Sequence, residues 1–267
     1  PLAVEKTKET DAELVLASDP DADRVGAAVK NNEGEWVLLN GNQTALMFVY
    51  YLITRWKELG KINGKEYIVK TIVTTELIRT IAEQNGVEVY DDYTGFKCIA
   101  DVMKKNEGKK NYIGGGEESY GFLCEDFVRD KDAVSACAIL AEIAAWAKDQ
   151  GITMYQLLQN IYVQYGFSKE KGISVVKKGK SGAEEIEAMM KHLRENPLQE
   201  IAGSKVTLFY DYASLKGKDY VENETLTLDM PTTSNVLQYF TEDGTKVSIR
   251  PSGTEPKIKV YILTQGA

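Results

Sequence analysis

EYIVKTIVTTELIRTIAEQNGVEVY, residues 66–90, decides the fold. Glu66 to Val73 reads as a strand, Thr75 to Asn85 as a helix that stops before Gly86, and Val87 to Tyr90 as a second strand. The same rhythm continues outward. Phe96 to Asn106 is a helical pattern, and Tyr112-Ile113 runs into Gly114-Gly115-Gly116, which interrupts what would otherwise be strand. Phe122 to Cys124 is a short strand and Ala133 to Lys148 an Ala-rich helix. Strand–helix alternation predicts a layered α/β domain with a largely parallel sheet, and its ligand loops beyond the C-terminal ends of strands. Upstream, Val25 to Val29 and Trp36 to Leu39 read as strands about the turn Asn31–Gly34, and Asn40-Gly41-Asn42 opens a helix from Thr44 to Leu59. Downstream of the helix Met154 to Tyr165 the texture changes. Strands at Ile173 to Lys177, Val206 to Asp211, Val247 to Arg250 and Ile258 to Ile262, with a helix at Ala183 to Glu195, predict a smaller α+β domain with an antiparallel sheet. The boundary falls near Phe167.

A chain of 267 residues suggests two domains and part of a third. The start at Pro1 without Met, followed at once by a charged segment and Leu14-Val15-Leu16-Ala17, suggests a piece of something longer. With 32 basic against 40 acidic residues, net −8, neither nucleic acid nor anionic membrane is the expected main partner, although a small basic pocket could bind phosphate. No stretch approaches the roughly 18 apolar residues of a membrane span. Cys98, Cys124 and Cys137 read as buried thiols of a reducing compartment, hence a cytoplasmic expectation. The single His192 lies in an amphipathic helical pattern, EEIEAMMKHLREN. With one His and no CxxC pair, neither a zinc site nor a Ser–His–Asp hydrolase is expected. Chemistry falls to carboxylates, Lys, Arg, hydroxyls and a hard metal ion.

Four segments can carry it. In Asp19-Pro20-Asp21-Ala22-Asp23-Arg24, alternate residues of an extended segment point the same way, so three carboxylates can converge on one cation, for which oxygen ligands favour Mg²⁺. An EF-hand does not fit, because Arg24 and Lys30 stand where Gly and Glu are needed. A plain acidic turn is the alternative. Gly116-Glu117-Glu118-Ser119-Tyr120-Gly121 offers close backbone approach with acceptors and a hydroxyl suited to sugar diols, but lacks the Gly-Lys-Ser/Thr of a nucleotide loop. Arg250-Pro251-Ser252-Gly253-Thr254-Glu255-Pro256 supplies a guanidinium fork, hydroxyls and turn N–H groups fit for phosphate. Thr94-Gly95-Phe96-Lys97 puts a Lys at a helix start, where neighbouring cations can tune it for proton transfer; an exposed Lys is the other reading.

Taken in chain order, the four segments resemble the α-D-phosphohexomutase family, the phosphoglucomutases and phosphomannomutases. DPDADR looks like its metal loop, TGFK a loop of its third domain, GEESYG its sugar-recognition loop and RPSGTEP its phosphate loop. KTIVTTE (70–76) and RDKDA (129–133) also fit. The resemblance implies three-layer α/β and α+β domains: residues 1–40 the end of the second domain with the metal loop, 41–166 the third, and 167–267 the C-terminal phosphate-binding domain. It implies interconversion of hexose 1-phosphate and hexose 6-phosphate through a phosphoserine and a sugar 1,6-bisphosphate. Asp19, Asp21 and Asp23 would hold Mg²⁺, and Arg24 and Lys97 would serve catalysis. Glu117 and Ser119 would bind sugar hydroxyls, while Arg250, Ser252, Gly253 and Thr254 would grip the other phosphate.

Two departures shape the expectation. No segment resembles the family's phosphoserine loop, so the chain alone is expected to bind phosphosugar without turnover and to need the N-terminal half of the enzyme. Gly121 stands where the bifunctional phosphomannomutase branch has His, which points to glucose phosphates, with mannose or pentose phosphates as alternatives. A Mg²⁺-dependent phosphatase is disfavoured, since Asp23 replaces the Thr or Val its nucleophile motif wants. A non-catalytic sugar-phosphate binder remains the rival reading. Residues 1–40 would leave a bare sheet that either packs on a second copy or is the least stable part of the chain.

Overall fold

The structure, a computed structural model, describes residues 2–177, 179–253 and 255–266. The chain divides into two compact units, Pro1–Gly166 and Phe167–Ala267.

The first unit begins with helix α1 (Leu2–Thr10), which the sequence pattern does not announce. Strands β1 (Leu14–Ser18), β2 (Val25–Lys30) and β3 (Trp36–Leu38) then form an antiparallel sheet in that order. Helix α2 (Gly41–Glu58) starts three residues before the expected Thr44, because Asn40 closes a capping box: its side chain accepts the Gln43 N–H at 2.8 Å, and Gln43 accepts the Asn40 N–H at 3.0 Å. Next come β4 (Glu66–Thr71), α3 (Leu77–Gln84), β5 (Glu88–Asp92), α4 (Phe96–Asn106), β6 (Asn111–Gly116), β7 (Phe122–Cys124), α5 (Ala133–Asp149) and α6 (Met154–Tyr165). The second sheet runs β5-β4-β6-β7, with β4 parallel to both neighbours and β7 antiparallel to β6.

All six residues of β4 are buried, as expected of a central strand covered on both faces. Ile68 faces one core with Phe48 of α2, Ile81 of α3 and Leu140 of α5. Tyr67 and Val69 face the other with Phe96 and Ile99 of α4. That alternation is what makes three layers. Val25, Ala27 and Val29 of β2, each at most 2% exposed, join the first core beside α5 and α6. The apolar side of the 14–38 sheet is therefore covered within its own unit. Leu38, 68% exposed, and the end of β1 at Ala17 and Ser18 remain open to solvent.

Gly114-Gly115-Gly116 does not interrupt a strand, contrary to the sequence expectation, but is the end of β6. A Cβ on Gly115 would stand 2.2 Å from the Val69 carbonyl oxygen, and one on Gly114 2.7 Å from Leu52 Cδ1. The glycines let β6 sit close to β4 and α2. Gly115→Ala is expected to cost about 1–3 kcal/mol of overpacking, read as a lowered denaturation midpoint.

The second unit is one antiparallel sheet with helix α7 (Gly179–Glu195). Its strands are β8 (Phe167–Val176), β9 (Glu200–Ile201), β10 (Ser204–Asp211), β11 (Lys216–Asp219), β12 (Thr225–Thr227), β13 (Leu237–Thr241), β14 (Lys246–Pro251) and β15 (Lys257–Gly266). Their order is β12-β11-β10-β13-β14-β15-β8, with β9 on β10. Ile186 and Met190 of α7 pack in one core with Leu237, Tyr239, Val247, Ile249 and Ile258. Among the described residues no helix is long and apolar enough to cross a membrane.

Candidate functional site

β1 and β2 pair up to Ser18 and Val25, so the six residues between them are held as a hairpin loop. The Asp19 N–H donates to the Arg24 carbonyl at 3.2 Å, and Ala22 adopts the left-handed conformation at φ 56°. The Asp19 carboxylate accepts the Arg24 N–H at 3.0 Å and the Asp23 N–H at 3.2 Å. The bond from Arg24 is the main cause that holds the Asp19 carboxyl below its usual range. This turn, not an extended segment, brings the acids together: Asp19, Asp21 and Asp23 each offer an oxygen within 4.8 Å of the others.

Asp23 Oδ2 meets Lys131 Nζ at 2.8 Å, while the buried Oδ1 finds no hydrogen-bond donor among the described residues. Arg24 Nε lies 3.8 Å from that Oδ1. An all-carboxylate set with one buried, unsatisfied oxygen suits a hard divalent cation.

The sugar-type loop lies against this hairpin. The Val25 N–H donates to the Tyr120 carbonyl at 3.1 Å, and the Ala133 N–H to the Ala22 carbonyl at 3.0 Å. The loop closes on itself through Glu117 N–H to Gly121 O at 2.9 Å, with Tyr120 left-handed at φ 71°. Glu117 is only 8% exposed and accepts the Gly95 N–H at 2.6 Å, so it also anchors the start of α4. Burial raises the Glu117 pKa, and the Gly95 N–H only partly opposes this. Glu118 accepts from the Thr71 hydroxyl at 3.2 Å and from Ser119 Oγ at 2.9 Å. Lys97 is exposed in the first turn of α4 and makes no ion pair among the described residues.

The raised Glu117 pKa has a defined sign. The folded state holds this proton to higher pH than the unfolded chain, so the contribution is greatest below the ordinary value and is lost as pH rises through the folded one. Relative to Glu117→Gln, the wild type is expected to lose stability as pH rises above the ordinary carboxylate range. Parallel denaturation curves at several pH values check this; a constant difference contradicts it.

In the second unit, Arg250 pairs in register with Lys259 near the end of β14. Ser252 N–H donates to Lys257 O at 2.8 Å, and Lys257 N–H to Glu255 O at 2.7 Å, which pins the turn. Glu255 is ion-paired with Lys257, a bond that lowers its pKa. Arg250 is half-buried with no ion-pair partner among the described residues, and Gly253 is exposed. Thr254 lies outside the described residues.

Three contributors escape the sequence reading. Lys131 enters it only as part of RDKDA. Glu118 carries no role there beside Glu117. Gly41 reads as a helix opening, yet a Cβ there would stand 1.9 Å from the Glu118 carbonyl oxygen. The Asn40-Gly41-Asn42 segment is the available signal.

Two family models match the chain. Residues 40–165 match the phosphoglucomutase/phosphomannomutase alpha/beta/alpha domain III, and residues 175–264 the phosphoglucomutase/phosphomannomutase C-terminal domain. A phosphoglucomutase of Staphylococcus aureus (strain MRSA252) is 37% identical over 260 residues, covering 97% of this chain and 46% of its own length. That of strain N315 is 37% identical over 267 residues with the same coverage. The chain thus spans about half the length of these curated relatives. In fold it resembles a putative phosphomannomutase from Thermus thermophilus, with TM-score 0.61, 19% identity and coverage of 95% of this chain and 42% of that one. A phosphoglucomutase/phosphomannomutase family protein from Burkholderia thailandensis gives TM-score 0.62, 18% identity and coverage of 98% and 45%.

Proposed function

The chain belongs to the phosphoglucomutase/phosphomannomutase family, and on that premise we propose that it supplies the cation-, sugar- and phosphate-binding parts of an enzyme interconverting hexose 1- and 6-phosphates, glucose phosphate foremost. The observation that carries this reading is the joined pair of loops in the first unit. Three carboxylates within 4.8 Å, one with a buried unsatisfied oxygen, are tied by backbone hydrogen bonds to a loop bearing Glu117 and Ser119.

In this reading Asp19, Asp21 and Asp23 hold Mg²⁺, which when bound neutralises charge on a transferring phosphoryl group. The hairpin backbone holds the Asp19 carboxylate in place before the ligand arrives, which lowers the reorganisation the set needs. Arg24 offsets part of the loop's negative charge and contacts the phosphoryl oxygens. Glu117 and Ser119 accept and donate to sugar hydroxyls, with Glu117 held by Gly95. Lys97, exposed at the start of α4, is the candidate proton carrier. Arg250 with Ser252, Gly253 and Thr254 binds the phosphate that is not transferred. The phosphoryl donor is a phosphoserine outside these motifs, and a sugar 1,6-bisphosphate is the intermediate. Residues 1–40 carry the metal loop as the end of a second domain, 41–166 form the third and 167–267 the last. The place of action is the cytoplasm. Any self-association of residues 1–40 runs through the edges of β1 and β3, since their sheet's apolar side is covered.

A titration separates the enzyme reading from a binder alone. Glucose 1-phosphate should bind this chain without conversion, and conversion should appear when the remaining domains of the enzyme are supplied. Binding that never leads to conversion in that reconstituted enzyme favours the non-catalytic reading.

A further inference from the structure

Lys131 is more tightly held than a loop lysine ordinarily is. Its side chain is 16% exposed, and its ammonium contacts Asp23 Oδ2 at 2.8 Å and Asp130 Oδ1 at 3.5 Å. The flanking backbone is fixed on both loops: Asp132 N–H donates to the Phe122 carbonyl at 3.0 Å, and Ala133 N–H to the Ala22 carbonyl at 3.0 Å. The aliphatic stem fills the space beside Gly121, where a Cβ would stand 2.6 Å from Lys131 Cδ. Gly121 therefore makes room for the stem. The lysine is held charged against one of the three acids.

We propose that Lys131 is a positioning residue that takes the place of the cation at Asp23, holding that carboxylate until a divalent ion arrives and then giving it up. The proposal rests on the metal reading of the Asp19–Asp23 loop. A carboxylate oxygen engaged by an ammonium is not free for a divalent ion, and a third positive charge beside the ion repels it. The released ammonium has a second carboxylate close by, because Lys131 Cδ and Glu117 Oε2 flank the same point, 2.6 and 3.4 Å from where a Cβ on Gly121 would stand. Cation binding would thus shift Lys131 from the acidic loop toward the sugar-type loop.

Mn²⁺ binding by the chain, followed as free Mn²⁺ by electron paramagnetic resonance, tests this without any activity. Lys131→Met keeps the stem and removes the charge. It is expected to bind Mn²⁺ about tenfold tighter, since unit charges about 4 Å apart interact strongly even in a wet site, and to melt at lower temperature without metal. Lys131→Arg should stay near wild type in both respects. Lys131→Gln carries the same expectation as Met should that variant fail to fold. Unchanged or weaker Mn²⁺ affinity in a folded, charge-free variant overturns the proposal while leaving the metal loop intact. Asp21→Asn distinguishes the two failures: if it does not weaken Mn²⁺ binding, the loop is no metal site and the role of Lys131 falls with it.

Discussion

Lys70→Met is expected to lower the stability of the first unit by about 3 kcal/mol, the low end of the cost of removing one member of a buried ion pair. Lys70 sits in β4 at 1% exposure, with its ammonium 2.8 Å from Asp91 Oδ1 and 3.2 Å from Glu76 Oε1. Arg79 of α3 closes the network at 2.5 Å from Asp91 Oδ2 and 3.6 Å from Glu76 Oε2. Arg79 also pairs with the more exposed Glu83 at 3.1 Å, so deleting Lys70 leaves Asp91 and Glu76 to share with Glu83 a single guanidinium. Both carboxylates are just over a quarter exposed, so water relieves part of the penalty. Burial pushes the Lys70 pKa down, but Asp91 and Glu76 more than offset it and the net direction is upward. The sign follows: the stabilisation is complete at neutral pH and is lost only as pH climbs past the folded value. The next residue in the chain connects this to the site, since the Thr71 hydroxyl donates to Glu118. Urea denaturation with near-equal slopes measures the effect, and a change under about 1 kcal/mol would contradict it.

Arg250→Ala is expected to weaken binding of glucose 1-phosphate to the chain by about 1.5–3 kcal/mol, or roughly 10- to 150-fold. The guanidinium presents a planar fork that matches phosphate oxygens in pairs. No carboxylate among the described residues is ion-paired with it, so truncation strands no charge and stability should shift by no more than about 0.5 kcal/mol. Arg250→Lys keeps the charge but loses the fork and should recover only part of the affinity. Isothermal titration with matched melting curves decides, and an unchanged affinity would remove the phosphate role from this turn.

How far these features can be read in advance depends on whether the signal is local. Helix α6 follows its pattern from Met154 to Tyr165 because Thr153 and Gln156 close a capping box at its start. Helix α4 likewise runs from Phe96 to Asn106 after a glycine at φ 110°. Strand β8 starts at Phe167 rather than Ile173, because Ser168 to Lys171 are polar and become strand only by pairing with β15. Strand β11, Lys216-Gly217-Lys218-Asp219, has no apolar alternation and exists through its partners in β10. The three acids of the hairpin are legible as a group, but not the left-handed Ala22 that turns them together. Lys131 cannot be matched to Asp23 by spacing, for the two meet only once α5 docks on the hairpin. The triple glycine misleads for the same reason: its cause is a carbonyl on β4.

Phosphorus NMR of glucose 1-phosphate mixed with this chain and Mg²⁺ reads phosphosugar binding and its conversion in one sample. A broadened, shifted phosphate resonance is expected with the wild-type chain and lost in Arg250→Ala, with no 6-phosphate resonance appearing over time. A resonance unaffected by the wild-type chain, or affected equally by the Arg250→Ala variant, would contradict it.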